Sequence, residues 1–208
     1  MSRIRRDFKR RSGYRDARLF IIATEGQKTE PQYFKDLNSR EYLNNLRVHV
    51  EVLPRYSSSS SPNHVLRVLN NFKSEYKLRK DDELWMVIDL DRWPNGLLSD
   101  VIAQCIQKDY KFAVSNPCFE AWLLLHLRDI EQEYSRDEIE NFSCNDLKSE
   151  IRIFLGSYNP SKLDTSKFLH SVQLAATRAR NLDINLHTRW PHSFGTRIYR
   201  LINKISSL

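Results

Sequence analysis

Three carboxylates stand where two apolar runs end. Leu19-Phe20-Ile21-Ile22-Ala23-Thr24 leads into Glu25-Gly26, and Leu84-Trp85-Met86-Val87-Ile88 leads into Asp89-Leu90-Asp91. Each run has the length and apolar continuity of a strand buried on both faces. Side chains two apart on a strand share a side, so Asp89 and Asp91 are expected to point together. If the two strands are neighbours, Glu25 joins them, and three convergent carboxylates need a cation. An all-oxygen set suits Mg²⁺, which keeps several waters and takes one or two carboxylates plus substrate phosphates. Mn²⁺ fits the same donors. Aspartates also serve as turn formers and caps at strand ends. The pairing of D-x-D with an acid at the equivalent end of a second buried run favours the functional reading.

The residues after Glu25 extend this set. Glu25 is expected to ligate metal or to act as a general acid or base. Gly26 allows close approach of a backbone or a phosphate. Lys28 is either a solvated side chain or a point charge for a phosphate. Glu30, in a first helical turn, either complements the helix dipole or joins the catalytic set.

These residues require strands and helices in alternation. Residues 18–24 read as a strand, and Thr29 to about Asn45 as a helix with Thr29 as cap and Pro31 in its first turn. Residues 47–53 alternate polar and apolar, as in a half-buried strand near a sheet edge. Ser57 to Ser61 read as a flexible loop, and Pro62 opens a helix to about Lys80. A central strand follows over 83–88, then a Trp93–Gly96 turn, a helix over 97–108, a strand over 111–115 and a helix from Pro117 to about His126. This alternation predicts an α/β fold with a mainly parallel sheet between helices. Ligands in such sheets bind at the carboxyl ends of strands, where Glu25, the serine loop, Asp89, Asp91, Ser115 and Asn116 all fall.

Beyond residue 130 the pattern becomes helical only, with candidates at 135–141, 143–156, 166–183 and 195–206 and an irregular connection over 181–193. The expected organisation is a basic flexible arm over 1–17, an α/β domain over 18–129 and an all-helical extension over 130–208.

Composition narrows the partners. The chain has 208 residues, 40% hydrophobic and 28% charged, with a formal net charge of +7. Its basic residues crowd the start, from Arg3 to Arg18, and recur from Arg178 to Lys204. An anionic partner such as nucleic acid is expected. No apolar stretch has the length of a membrane span, and the basic start lacks the apolar core of a secretory signal. The three cysteines, Cys105, Cys118 and Cys144, form no C-x-x-C pair. They are expected to be small buried thiols in a reducing cytoplasm, not a zinc site or a disulfide framework. There is no nucleotide-binding loop, so any ATP-driven step requires an ATPase partner. The residues leave the oligomeric state open, a homo-oligomer included.

Three ordered segments resemble one family. Thr24-Glu25-Gly26-Gln27-Lys28-Thr29-Glu30-Pro31-Gln32-Tyr33-Phe34 resembles the E-G-x-x-T-E-x-x-Y-F opening of RloB-like proteins. Ile88-Asp89-Leu90-Asp91-Arg92 resembles their central D-x-D segment, and Ser115-Asn116-Pro117-Cys118-Phe119-Glu120-Ala121-Trp122-Leu123-Leu124-Leu125-His126 resembles their S-N-P-x-F-E-x-W-L-L-x-H. That family is similar to the Toprim superfamily and is associated with bacterial anti-phage defence. The resemblance implies a Toprim-like fold, Mg²⁺ dependence and nuclease activity on RNA or DNA. By that likeness Glu25, Asp89 and Asp91 hold the metal. Glu120, in a first helical turn, joins Glu30 as a further catalytic candidate, and Lys28, Arg92, Ser115 and Asn116 are expected to meet substrate. Asn116 can equally cap the next helix, and His126 is expected to be a buried, hydrogen-bonded histidine. The alternative is a non-catalytic nucleic-acid-binding or regulatory subunit that works with an ATPase.

Overall fold

The computed structural model describes residues 5–10, 16–39, 41–43, 45–54, 61–91 and 93–207. The first half alternates as expected: β1 (Arg6–Asp7), β2 (Arg18–Thr24), α1 (Thr29–Leu37), β3 (Val48–Val52), α2 (Pro62–Glu75), β4 (Tyr76–Lys77), β5 (Glu83–Asp89), α3 (Asn95–Gln107), β6 (Lys111–Asn116) and α4 (Phe119–Leu127). The second half adds α5 (Ile130–Glu133), α6 (Arg136–Glu140), α7 (Cys144–Leu155), α8 (Ser166–Leu169), α9 (Val172–Leu182), β7 (Gly195–Thr196) and α10 (Ile198–Ser206).

The main sheet runs β3-β2-β5-β6-β7. The first four strands are parallel, and β7 pairs antiparallel with β6. The two apolar runs are therefore neighbours, with Thr24 opposite Val87. Alternation along them divides the core. Leu19, Ile21, Met86 and Ile88 pack on α2 and α3 through Val65, Leu69, Val101 and Ile102. Phe20, Ile22, Trp85 and Val87 face the other way, onto Tyr33, Phe34, Trp122 and the C-terminal helices. A strand sandwiched between helix layers has no solvated side, which is why both runs read as continuous apolar sequence.

Local signals set several boundaries. The Ser61 hydroxyl accepts a hydrogen bond from His64 N and caps α2, with Pro62 in the first turn. Capping boxes at Ser135/Glu138 and Ser143/Asp146 start α6 and α7. Gly156, at φ 76°, ends α7 in the left-handed region that a side chain disfavours.

The structure departs from the sequence expectations in several places. The described part of the N-terminal arm is docked, not free. Arg6–Asp7 pairs with Tyr76–Lys77, Phe8 packs on Phe72 and Tyr76, and Arg10 Nη2 meets the buried Asp82 carboxylate at 2.6 Å. A ring and a paired charge anchor what composition alone reads as a solvated tail. Residues 1–4, 11–15 and 55–60 lie outside the described residues, so the expected mobility of that arm and of the serine run has no structural counterpart here. α1 ends at Leu37 and α2 at Glu75, earlier than expected. The C-terminal region is helical as expected except for one short strand. Its β7 completes the sheet, and Leu147, Ile151, Ala176, Ile198 and Ile202 share one core with Phe20 and Trp122.

Cys118 and Cys144 are joined, with their Cα atoms 5.9 Å apart, which corrects the expectation of three thiols. The pairing was invisible in sequence because 26 residues separate the two cysteines and only packing of α7 on α4 brings them together. Cys105 remains a buried thiol, as expected. Among the described residues, no helix is long and apolar enough to cross a membrane.

Candidate active site

Glu25 continues the β2 ladder one residue past the strand, because its N–H donates to Val87 O at 2.9 Å. That extra rung turns its side chain onto the end of β5. Glu25 Oε2 accepts from Asp89 N at 3.2 Å, and Oε1 accepts from the Trp93 indole N–H at 3.0 Å. Glu25 is 5% exposed. The acid ends of the two strands thus converge, as the sequence predicts.

Two more carboxylates complete the group. Glu30, in the first turn of α1, accepts from Gly26 N at 2.8 Å through Oε1. A methyl group on residue 26 would collide with the Glu30 carboxylate, so glycine is needed there for close approach. Glu120 lies in the first turn of α4 and accepts from the Tyr158 hydroxyl at 3.2 Å. Helices that follow parallel strands begin at the carboxyl rim, so both acids sit at positive helix ends. Glu25, Glu30, Asp89 and Glu120 line one cleft of about 290 Å³ with Gly26 and Lys148.

Burial and like charge act together here. Burial raises the Glu30 carboxyl to about 7, with Glu120 and Glu25 pushing the same way against backbone hydrogen bonds. Asp89 is raised well above the ordinary carboxylate range, first by burial and then by Glu30, Glu25, Glu120 and Asp91.

The other expected site residues fall elsewhere. Asp91 does not join the cleft. β5 ends at Asp89, so the alternation that would aim Asp91 with Asp89 stops first. Asp91 is exposed, its N–H donates to Pro117 O, and its Oδ2 lies 3.2 Å from Cys144 Sγ. Lys28 is an exposed N-cap of α1 and does not line the cleft. Ser115 is fully buried, with its hydroxyl 2.8 Å from Thr196 Oγ1, because β7 covers it. Asn116 does not cap α4. It donates to Pro191 O and Ser193 O and pins the 191–193 loop to the end of β6. The Ser115 hydroxyl and the Asn116 amide NH2 are thus both engaged within the fold. Arg92 lies outside the described residues.

His126 is the buried histidine expected. Its Nε2 sits 3.0 Å from the Tyr33 hydroxyl and its Nδ1 2.8 Å from Trp122 O. The carbonyl fixes the proton on Nδ1, so Nε2 accepts from Tyr33. Burial lowers its pKa to about 3.

Lys148, Tyr158 and Trp93 escaped the sequence reading. Trp93 was visible only as part of a turn. The Ser143–Asp146 capping box locates α7, but nothing in the sequence shows that α7 lays Lys148 against Glu120. Tyr158 reaches the cleft because the 157–160 segment crosses it, held by Thr29 Oγ1 donating to Pro160 O at 2.8 Å.

The donor set consists of oxygens only, which suits a hard cation. Among the described residues, no three His, Cys, Asp or Glu side chains close around one point. Such a cage is not required by Mg²⁺, which binds through one or two carboxylates and retained waters. Four carboxylates in one cleft, two of them driven upward by burial and repulsion, fit an ion of that kind.

These features define an α/β protein with an acid-lined cleft at the carboxyl rim of a parallel sheet. The family model described as RloB-like protein matches residues 20–205, and the chain belongs to that family. No curated protein and no solved structure matches it.

Proposed function

We propose that this chain is a Mg²⁺- or Mn²⁺-dependent nuclease that hydrolyses phosphodiester bonds in RNA or DNA. The observation that carries the reading is the meeting of Glu25 and Asp89, 64 residues apart in sequence, in one cleft with Glu30 and Glu120. Asp89 and Glu25 would hold the cation, with Glu120 within reach. A bound cation supplies Lewis-acid polarisation of the phosphate and a more acidic water. Trp93 and the Asp89 N–H orient Glu25. Glu30, raised towards neutrality, is suited to accept and return a proton. The net charge of +7 supports contacts to a phosphate backbone without base reading.

The setting proposed is bacterial anti-phage defence in the cytoplasm, with Toprim kinship, on the strength of the resemblance. The test is cleavage of DNA and RNA with Mg²⁺, Mn²⁺ or EDTA. Metal-dependent cutting that is lost in Asp89→Asn supports the reading, and equal cutting by that variant and wild type removes the cleft from consideration.

A second reading is a non-catalytic nucleic-acid-binding or regulatory subunit, which the net charge of +7 supports as well. Capture of a stoichiometric ATPase, with no cleavage by the isolated chain, would select it. Mass measurement of the isolated chain would show whether a homo-oligomer forms.

A further inference from the structure

Lys148 is the only cation lining the acid cleft among the described residues. Its Nζ lies 3.8 Å from Glu120 Oε1, longer than a hydrogen bond, so the two meet as a loose charge pair. The Lys148 side chain is 31% exposed and that of Glu120 9%, so the lysine head reaches from the mouth of the cleft inwards. Its base is fixed. Leu147 beside it is fully buried, and one turn earlier Cys144 ties α7 to Cys118, two residues before Glu120. A flexible four-carbon stem on a fixed base lets the charge move while the helix stays.

We propose that Lys148 is a built-in counter-cation that competes with a divalent metal for Glu120 and, once displaced, meets a phosphate of the bound nucleic acid. This rests on the reading of the cleft as a cation site. One lysine faces four carboxylates, so the negative charge is only partly offset and a divalent ion still gains by entering. That ion and an ammonium group repel each other at one carboxylate edge. The ammonium then swings to the mouth, where the substrate backbone must pass to reach Asp89. The same residue therefore opposes metal binding and favours binding of the anionic chain.

Those opposite signs are the signature. Mn²⁺ affinity is measured by titration calorimetry without nucleic acid. Affinity for a short labelled single-stranded oligonucleotide is measured by anisotropy in Ca²⁺. In Lys148→Met, Mn²⁺ binds about three- to tenfold tighter and the oligonucleotide about three- to tenfold weaker, the size expected for one partly screened charge. Lys148→Arg keeps both values near wild type. Lys148→Gln, which keeps a polar head, follows Lys148→Met and serves if that variant is unstable. A purely structural lysine would weaken both affinities or neither. Unchanged Mn²⁺ affinity in Lys148→Met and Lys148→Gln, with wild type binding Mn²⁺ and Glu120→Gln binding it less, overturns the role of Lys148 alone. No Mn²⁺ binding by any of these proteins overturns the cation reading of the cleft as well.

Discussion

The Glu25 carboxylate accepts the backbone N–H of Asp89 across 3.2 Å, so one acid of the cleft is held by the main chain that carries another. The bond makes Glu25 part of the sheet edge as well as part of the site. Glu25→Gln keeps an acceptor for Asp89 N but turns an amide NH2 towards the Trp93 indole N–H, so it is expected to lose less stability than Glu25→Ala while losing Mn²⁺ affinity. Glu25→Ala leaves the Asp89 N–H and the Trp93 indole N–H without their partner and is expected to cost about 1–3 kcal/mol. Urea unfolding of the two variants, beside Mn²⁺ titration, separates the two roles.

Gly26→Ala tests the approach of Glu30 to the turn. The added methyl would meet the end of a flexible side chain, so the carboxylate can move aside at small cost to the fold. The expected outcome is a melting temperature close to wild type with the Gly26–Glu30 hydrogen bond lost. A crystal structure of the variant with Glu30 in its original place would contradict this, and so would severe destabilisation.

Glu30 and Asp89 on one side and His126 on the other set opposite pH dependences. Glu30 is raised from 4.5 to about 7, so its contribution to stability is full below pH 4.5 and is lost as pH rises through about 7. His126 is lowered from 6.5 to about 3, so its contribution is full above pH 6.5 and is lost as pH falls towards 3. Between pH 4.5 and 6.5 each has a slope of about 1.4 kcal/mol per pH unit, with opposite signs, and Asp89, raised in the same direction as Glu30, adds to the falling side. In Glu30→Gln one falling contribution is removed, so the slope of stability with pH, measured by denaturant, is expected to be more positive than in wild type across that window. A profile parallel to wild type would contradict it.

The joined cysteines make a simple count decisive. Of three cysteines, only Cys105 is free. Protein denatured without reductant is expected to titrate one thiol, and three after reduction. Three thiols before reduction would contradict the Cys118–Cys144 bond.

The central geometry was legible because it is written in short range. A buried strand needs a continuous apolar run, and an acid directly after such a run must stand at the rim, which places Glu25 and Asp89. Glu120 was legible through its first-turn position and the family segment. Asp91 was misplaced because period-two reasoning holds only while the strand lasts, and β5 ends at Asp89. Ser115 was misjudged because its cover, Gly195–Thr196, is too short to show a period. Lys148 and Tyr158 were invisible because their role depends on how the C-terminal half folds back, and side-chain spacing within a helix says nothing of which helix it meets. The docked arm was missed for the same reason, since Phe8 finds Phe72 and Tyr76 only in three dimensions.

The crossing of the cleft by residues 157–160 has a consequence for synthesis. Thr29 is fastened to Pro160 over 131 positions of sequence, and Asp36 to Thr165 over 129. A chain emerging from the ribosome that has reached only α4 has all four acids but lacks the wall that supplies Tyr158 and Lys148. The finished pocket is thus assembled late, from both halves of the polypeptide, and a prematurely terminated product would carry the acids without the enclosure they act in.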